Sequence, residues 1–232
     1  MATPFYVAPE QMMKDRAEYA RKGIARGRAL VAVEHAEGVI FAGENPSRSL
    51  YKTSEIYDRI GFAAVGKYNE FESLRVAGIR MADVKGYQYA REDVTAKGLA
   101  NAYSQALGAS FMGDSKPFEV ELLIAEVAAP GRTDGGGHEL YHILYDGSIV
   151  DEHRFVAIGG ESEALSTALS AGYADDIDRD GAVRLAVGAL AQVAGRDLPA
   201  GDLEVAGLDA TRPRRRFFRL RDADLEAVLT AS

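Results

Sequence analysis

The sequence contains no cysteine. That excludes disulfides, thiolate nucleophiles and Cys-ligated zinc, and it fits a chain that works in the reducing cytoplasm. It has no apolar run long enough to cross a bilayer and no basic-then-apolar leader at its start. A cytoplasmic protein without a membrane partner is therefore expected. Positive charge is in deficit, with 27 Lys and Arg against 35 Asp and Glu and a net charge of −8. This opposes nucleic acid as a partner. The local exception runs from Arg212 to Arg221, where basic residues interleave with Phe217 and Phe218; alternation on a late strand accounts for it. Nucleophile-elbow and phosphate-loop motifs are both missing, and no Ser/His/Asp set has the spacing of a known motif.

What is present is one core's worth of chain: 232 residues, 47% of them apolar. Residues 9–23 form an amphipathic helix with Pro9 at its first position. Its stripe of Met13, Ala17, Ala20 and Ile24 is narrow, which suggests a helix lying on something larger than its own chain. Apolar runs at 29–33 and 39–42 flank Ala36-Glu-Gly38 and read as a β-hairpin. Further strands are expected around Ile56, Ile60 and 62–65, at 118–127, at 140–144, at 155–158, and at 203–208 and 214–220. Helical spacing marks 69–85, 95–111, 162–173, 181–194 and 222–229. Helix pairs alternating with hairpin-linked strands predict sheets covered by helical layers rather than a βαβ winding. No long linker breaks the order, so residues 9–232 read as a single domain.

Three motifs invite chemistry. His138-Glu-Leu-Tyr-His142 matches H-E-x-x-H, but that zinc site needs a helix to bring both rings to one face. Glycines before it and Asp146-Gly147 after it are hairpin composition, and on a strand the rings would stand roughly 13 Å apart. Asp176-Ile-Asp-Arg-Asp-Gly181 opens like a calcium loop, yet Val187 stands where the bidentate glutamate belongs; an acidic helix start fits better. Gly159-Gly160-Glu161-Ser162 before a helix has the form of an anion site, but a plain strand-to-helix turn is the better explanation. No metal or cofactor is expected.

Several fragments resemble proteasome α-subunits, most of all the actinobacterial type. Glu18-Tyr-Ala-Arg-Lys22 followed by Gly27 resembles the family's leading helix. Asn45-Pro-Ser-Arg-Ser-Leu50, Lys52 and Glu55-Ile-Tyr-Asp-Arg-Ile-Gly-Phe-Ala-Ala-Val-Gly66 resemble the strand region after it. Tyr145-Asp-Gly-Ser148 resembles a family turn, and Ala157-Ile-Gly-Gly160 the strand-to-helix glycines. These fragments occur in the right order across the whole chain. The resemblance implies an α+β fold, a four-layer αββα sandwich of two antiparallel sheets between helical layers, with an extra N-terminal helix. It also implies a seven-membered ring of α-subunits stacked on catalytic β-subunits.

Catalytic relatives open the first strand with a processed Thr, Ser or Cys whose own amine is the base. Here Gly27 leads into Arg28-Ala29 behind a helix, so a non-catalytic member is expected. An active N-terminal-nucleophile peptidase and a zinc peptidase through His138 and His142 are the alternatives. By the same resemblance, residues 1–8 form a gate at the ring's pore. Thr3, Pro4, Phe5, Tyr6, Val7 and Ala8 belong to that arm, Pro9 to its hinge and Tyr19 to its support. The arm reads Phe5-Tyr6-Val7 where archaeal relatives carry Tyr-Asp-Arg. Lys52 matches the lysine that receives an activator's C-terminal carboxylate in a pocket between adjacent α-subunits. Arg26, Gly27 and Gly66 are expected around it. The implied partners are β-subunits, other α-subunits, and a hexameric ATPase or other ring activator.

Overall fold

The computed structural model describes residues 8–113, 115–128 and 137–231. Helix α1 (Pro9–Ala25) precedes a hairpin of β1 (Leu30–His35) and β2 (Gly38–Glu44), tightly closed where His35 pairs with Gly38. Strands β3 (Thr53–Tyr57) and β4 (Ile60–Gly66) follow, then α2 (Tyr68–Gln88) and α3 (Ala96–Met112). Next come β5 (Val120–Glu126), β6 (Glu139–Ile143), β7 (Ile149–Glu152) and β8 (Phe155–Ile158). Helices α4 (Ser162–Gly172) and α5 (Arg179–Ala194), strands β9 (Leu203–Asp209) and β10 (Phe217–Leu220), and helix α6 (Asp222–Thr230) complete the order.

The strands make two five-stranded sheets, β10-β9-β2-β1-β8 and β3-β4-β5-β6-β7, and every pairing is antiparallel. Period-two alternation sends successive side chains to opposite faces, and both faces of the central strands are covered. Leu30, Phe41 and Leu208 of the first sheet meet Val65, Leu123 and Leu140 of the second between the sheets. Val33, Ile40 and Val205 point outward under Leu169, Val183 and Leu190 of α4 and α5. Phe62, Leu122 and Ile124 point outward under Phe71, Leu99 and Leu107 of α2 and α3. This is the expected four-layer αββα sandwich, and its central strands are apolar almost throughout because neither face meets water.

Three local expectations change. The hairpin after Asp146-Gly147 is closed by β7, whose side chains are largely exposed; a short edge strand at the margin of the sheet carries little apolar signal. The strand expected over 214–220 starts only at Phe217. Arg212 to Arg216 lie in the irregular segment before it, so strand alternation accounts for only the end of the basic run. Helix α1 does not wait wholly for an outside surface. Ala20 and Ile24 are buried in the core between the sheets, whereas Met12 and Tyr19 are 46% and 47% exposed.

Candidate functional site

The expected site lies where α1 ends, β1 begins and β4 stops. Gly66 closes β4 with φ +103°, and a Cβ there would sit 2.0 Å from the Glu119 carbonyl oxygen. Only glycine fits that turn. A Cβ on Gly27 would stand 3.4 Å from the Gly66 amide nitrogen, so the two glycines bring the start of β1 against the end of β4. The strand-to-helix turn at Gly159-Gly160 packs on the same place, since a Cβ on Gly159 would lie 3.3 Å from the Ala29 Cα. The Gly159 N–H already donates to Glu121 Oε2 at 3.1 Å, so strand β5 supplies the anion at this turn.

Lys52 enters from the other side. Its carbonyl accepts the Ala64 N–H at 3.0 Å, extending the β3–β4 ladder, and its Nζ donates to the Arg28 carbonyl at 2.8 Å and the Glu44 carbonyl at 3.2 Å. An ammonium has three N–H groups, and two are engaged with described residues. Burial pushes the Lys52 pKa down to about 8; the Arg28 charge lowers it too, while Glu204 and Glu44 oppose the shift. Glu44 in turn holds Arg28 at 3.0 Å and Arg196 at 2.7 Å. The result is a partly buried cation beside a backbone corner made of two glycines, an arrangement whose charge and N–H geometry suit a carboxylate. Arg26 is exposed at the end of α1.

Glu204, which sequence reasoning missed, fixes this corner. It is buried on β9 and accepts from Asn45 Nδ2 at 2.6 Å, the Lys52 N–H at 2.9 Å, the Thr53 N–H at 2.9 Å and Arg219 Nη1 at 2.8 Å. The Thr53 hydroxyl donates as well. Burial pushes this carboxyl up, but the bonds from Lys52, Thr53, Asn45 and Arg219 outweigh it and hold the pKa below the usual value. One carboxylate of the first sheet thereby anchors the segment of the second that carries Lys52. The available signal was a lone acid inside an apolar run, Leu203-Glu-Val-Ala-Gly-Leu208.

Of the gate residues, Thr3, Pro4, Phe5, Tyr6 and Val7 lie outside the described residues. Ala8 precedes the first turn without a side-chain cap, and Pro9 begins it. The Tyr19 ring faces Lys116, whose Nζ is 5.7 Å from its centroid.

The alternatives find little support. Arg28 and Ala29 lead into β1 by continuous chain from α1, so that point holds neither a hydroxyl nor a free amine. His142 lies on strand β6, between Glu121 at 3.6 Å and Glu152 at 3.7 Å. His138 sits just before β6, and burial lowers its pKa, against hydrogen bonds to the backbone of His35 and Ala36. Among the described residues no cluster of His, Asp and Glu could hold a metal ion. Asp178 accepts the Gly181 N–H at 2.7 Å and caps α5, which explains the acidic run without calcium.

A family profile described as "Proteasome subunit" matches residues 24–206. The chain is 55% identical to the proteasome subunit alpha of Kineococcus radiotolerans, with 100% of both chains covered. It is 56% identical to that of Gordonia bronchialis, over 99% of this chain and 90% of the relative. With the Streptomyces griseus protein of the same name it shares 56% identity, over 94% of this chain and 81% of the relative.

Proposed function

The chain belongs to the proteasome subunit family as a non-catalytic α-type member, and from that premise we propose that it forms the outer ring of a cytoplasmic proteolytic particle. In this reading it assembles with other copies of itself and with β-subunits that carry the hydrolysis. Residues 1–8 narrow the entrance to the chamber, and Lys52 receives the C-terminal carboxylate of a hexameric ATPase or other ring activator. Nucleic acid has no part in it. No described helix is long and apolar enough to cross a membrane.

The observation that carries the reading is the corner at Lys52. In a hydrolase of this fold the start of β1 supplies the nucleophile; here a main-chain carbonyl occupies that place, with a lysine ammonium bonded to it. Such a cation, with two of its three N–H groups engaged by described residues, has one left for an incoming anion. Seven weak sites on one ring would add by multivalency.

Native mass spectrometry of the chain with a matching β-subunit tests the assembly. A stacked particle with outer rings of this chain is expected. A monomer under all conditions would reject the ring and reopen the search for a different role.

A further inference from the structure

The two sheets are stacked in the same sense, so the sandwich has two opposite edges. One is formed by β10 and β3, joined where Arg219 Nη2 donates to the Thr53 carbonyl at 2.9 Å. The other is formed by β8 and β7, which only His153 and Arg154 separate in sequence.

The β10/β3 edge opens into a groove of about 1420 Å³. Its lining includes seven arginines, Arg48, Arg75 and five between Arg212 and Arg221, against three carboxylates, Glu55, Glu204 and Asp222. In a chain of net charge −8 this is a local inversion of sign. Some of the arginines are fixed: Arg219 lies over Tyr51 at 3.9 Å and pairs with Glu204, and Arg215 pairs with Glu55 at 2.8 Å. Arg214 and Arg221 are exposed, and neither forms an ion pair among the described residues.

The opposite edge carries the opposite sign. Asp151 is exposed on β7, and the loop after α4 places Asp175 and Asp176 beside β8. That loop is held there by the Phe155–Tyr173 ring contact and the Arg154–Asp175 pair at 3.2 Å. Among the described residues Asp151 and Asp176 have no cationic partner. Exposed apolar side chains accompany both edges: Ile149 and Val150 at 36% and 41% on β7, and Tyr51 at 42% on the groove.

We propose that the arginine groove of one copy receives the β7/β8 edge of the next copy, a head-to-tail contact that defines the direction of the ring. This rests on the ring-assembly reading above and names the surfaces that carry it. Opposite faces of one chain joined in this way make a heterologous interface, which closes into a ring when the rotation permits. Complementary charge sets register and orientation more than affinity, and Ile149, Val150 and Tyr51 supply the apolar contact within a charged rim. Continuity supports the same assignment, because the loop lining the groove at Asn45, Arg48 and Tyr51 leads directly into Lys52.

Charge reversal tests it in the presence of the β-subunit. The groove variant (Arg214→Glu with Arg221→Glu) and the edge variant (Asp151→Lys with Asp176→Lys) should each lose the assembled particle on native mass spectrometry. The four-fold variant, complementary again with both signs exchanged, should regain it. All three should melt within a few degrees of wild type by circular dichroism. Because the chain has no cysteine, Asp151→Cys with Arg214→Cys gives a second readout, and a short bis-maleimide should produce a ladder of linked copies. Groove variants that assemble normally would assign the groove to some other acidic partner and overturn the proposal. So would a four-fold variant that stays dissociated, or an absent ladder. A wild-type chain that never assembles would overturn the ring reading itself, whereas a wild-type ring indifferent to these reversals overturns only the proposal made here.

Discussion

The Lys52 ammonium donates to the Arg28 carbonyl at 2.8 Å, just ahead of β1. The ammonium thus lies beside the entry to β1, where the chain offers a main-chain carbonyl and neither a hydroxyl nor a free amine. With only backbone carbonyls as its partners among the described residues, what the ammonium offers a ligand is positive charge and an N–H. Burial at the corner keeps its pKa near 8, within reach of ordinary buffers.

Docking should therefore depend on pH in a defined direction. A bound carboxylate favours the charged ammonium, so affinity for an activator's C-terminal peptide should be flat below about pH 7. Above about pH 8 it should weaken about tenfold per unit. The same group affects stability in the opposite sense. Its folded pKa lies below the ordinary lysine value of 10.5, so its contribution to stability rises between about pH 8 and 10.5, and global unfolding by this group cannot account for the lost binding. Lys52→Arg, always protonated, should flatten the profile, and Lys52→Ala should cost about 10- to 100-fold. Fluorescence anisotropy of a labelled peptide on the assembled particle reads all three. A wild-type affinity independent of pH from 7 to 9.5 would reject the docking role of Lys52.

Glu204→Ala should cost about 3–5 kcal/mol, because it removes the anion that Arg219 and the Asn45–Thr53 segment are folded around. Glu204→Gln keeps acceptor capacity and should cost less. The carboxyl's folded pKa lies below the usual 4.5. Its stabilisation is present above the unfolded value and lost as pH falls through the lower folded one. Urea unfolding at pH 7 and pH 3 measures both effects; equal losses at the two pH values would contradict the assignment.

The sequence shows the parts of this fold whose signal is periodic. Helix α5 is legible because Ala182, Val183, Ala186, Val187 and Leu190 recur on one face, and the β1–β2 hairpin because its strands are apolar on both sides of a short turn. β7 was invisible because Ile149 and Val150 face solvent, not a core. The site divides in the same way. Gly27 and Gly66 meet at an expected place, and Lys52 reaches the carbonyl next to them. Glu204 reaches Lys52 across 152 positions of chain, and no local pattern encodes a contact of that span. The arginine groove was hidden for a related reason. Its basic residues alternate like a strand in sequence, but only Phe217–Leu220 form one.

Removing residues 1–8 tests the gate. Helix α1 keeps its core anchor at Ala20 and Ile24, so the deletion should leave the fold and the ring intact. Hydrolysis of a short fluorogenic peptide by the assembled particle should rise several-fold, and the added stimulation by an activator should shrink. An unchanged rate in a particle of normal mass would show that this arm does not limit entry.

His142 separates the zinc reading from a structural one. The imidazole is nearly buried between Glu121 and Glu152 at 3.6 and 3.7 Å, distances of ion pairs rather than hydrogen bonds. Burial alone lowers its pKa, but the two carboxylates prevail and raise it to about 9. The folded value exceeds the ordinary 6.5, so the stabilisation is fully present below pH 6.5 and is lost as pH rises through about 9. His142→Gln should therefore destabilise the chain by about 1–3 kcal/mol near pH 6, with the difference fading by pH 10. A chelator should leave the wild-type melting temperature unchanged, since the charge balancing Glu121 and Glu152 is the imidazolium itself. Were zinc the stabilising group, the chelator would lower that temperature and the variant would no longer respond to it. A histidine held charged by two acids is also a poor metal ligand, because coordination needs the neutral ring. One pair of melting curves, with and without chelator, decides between the two.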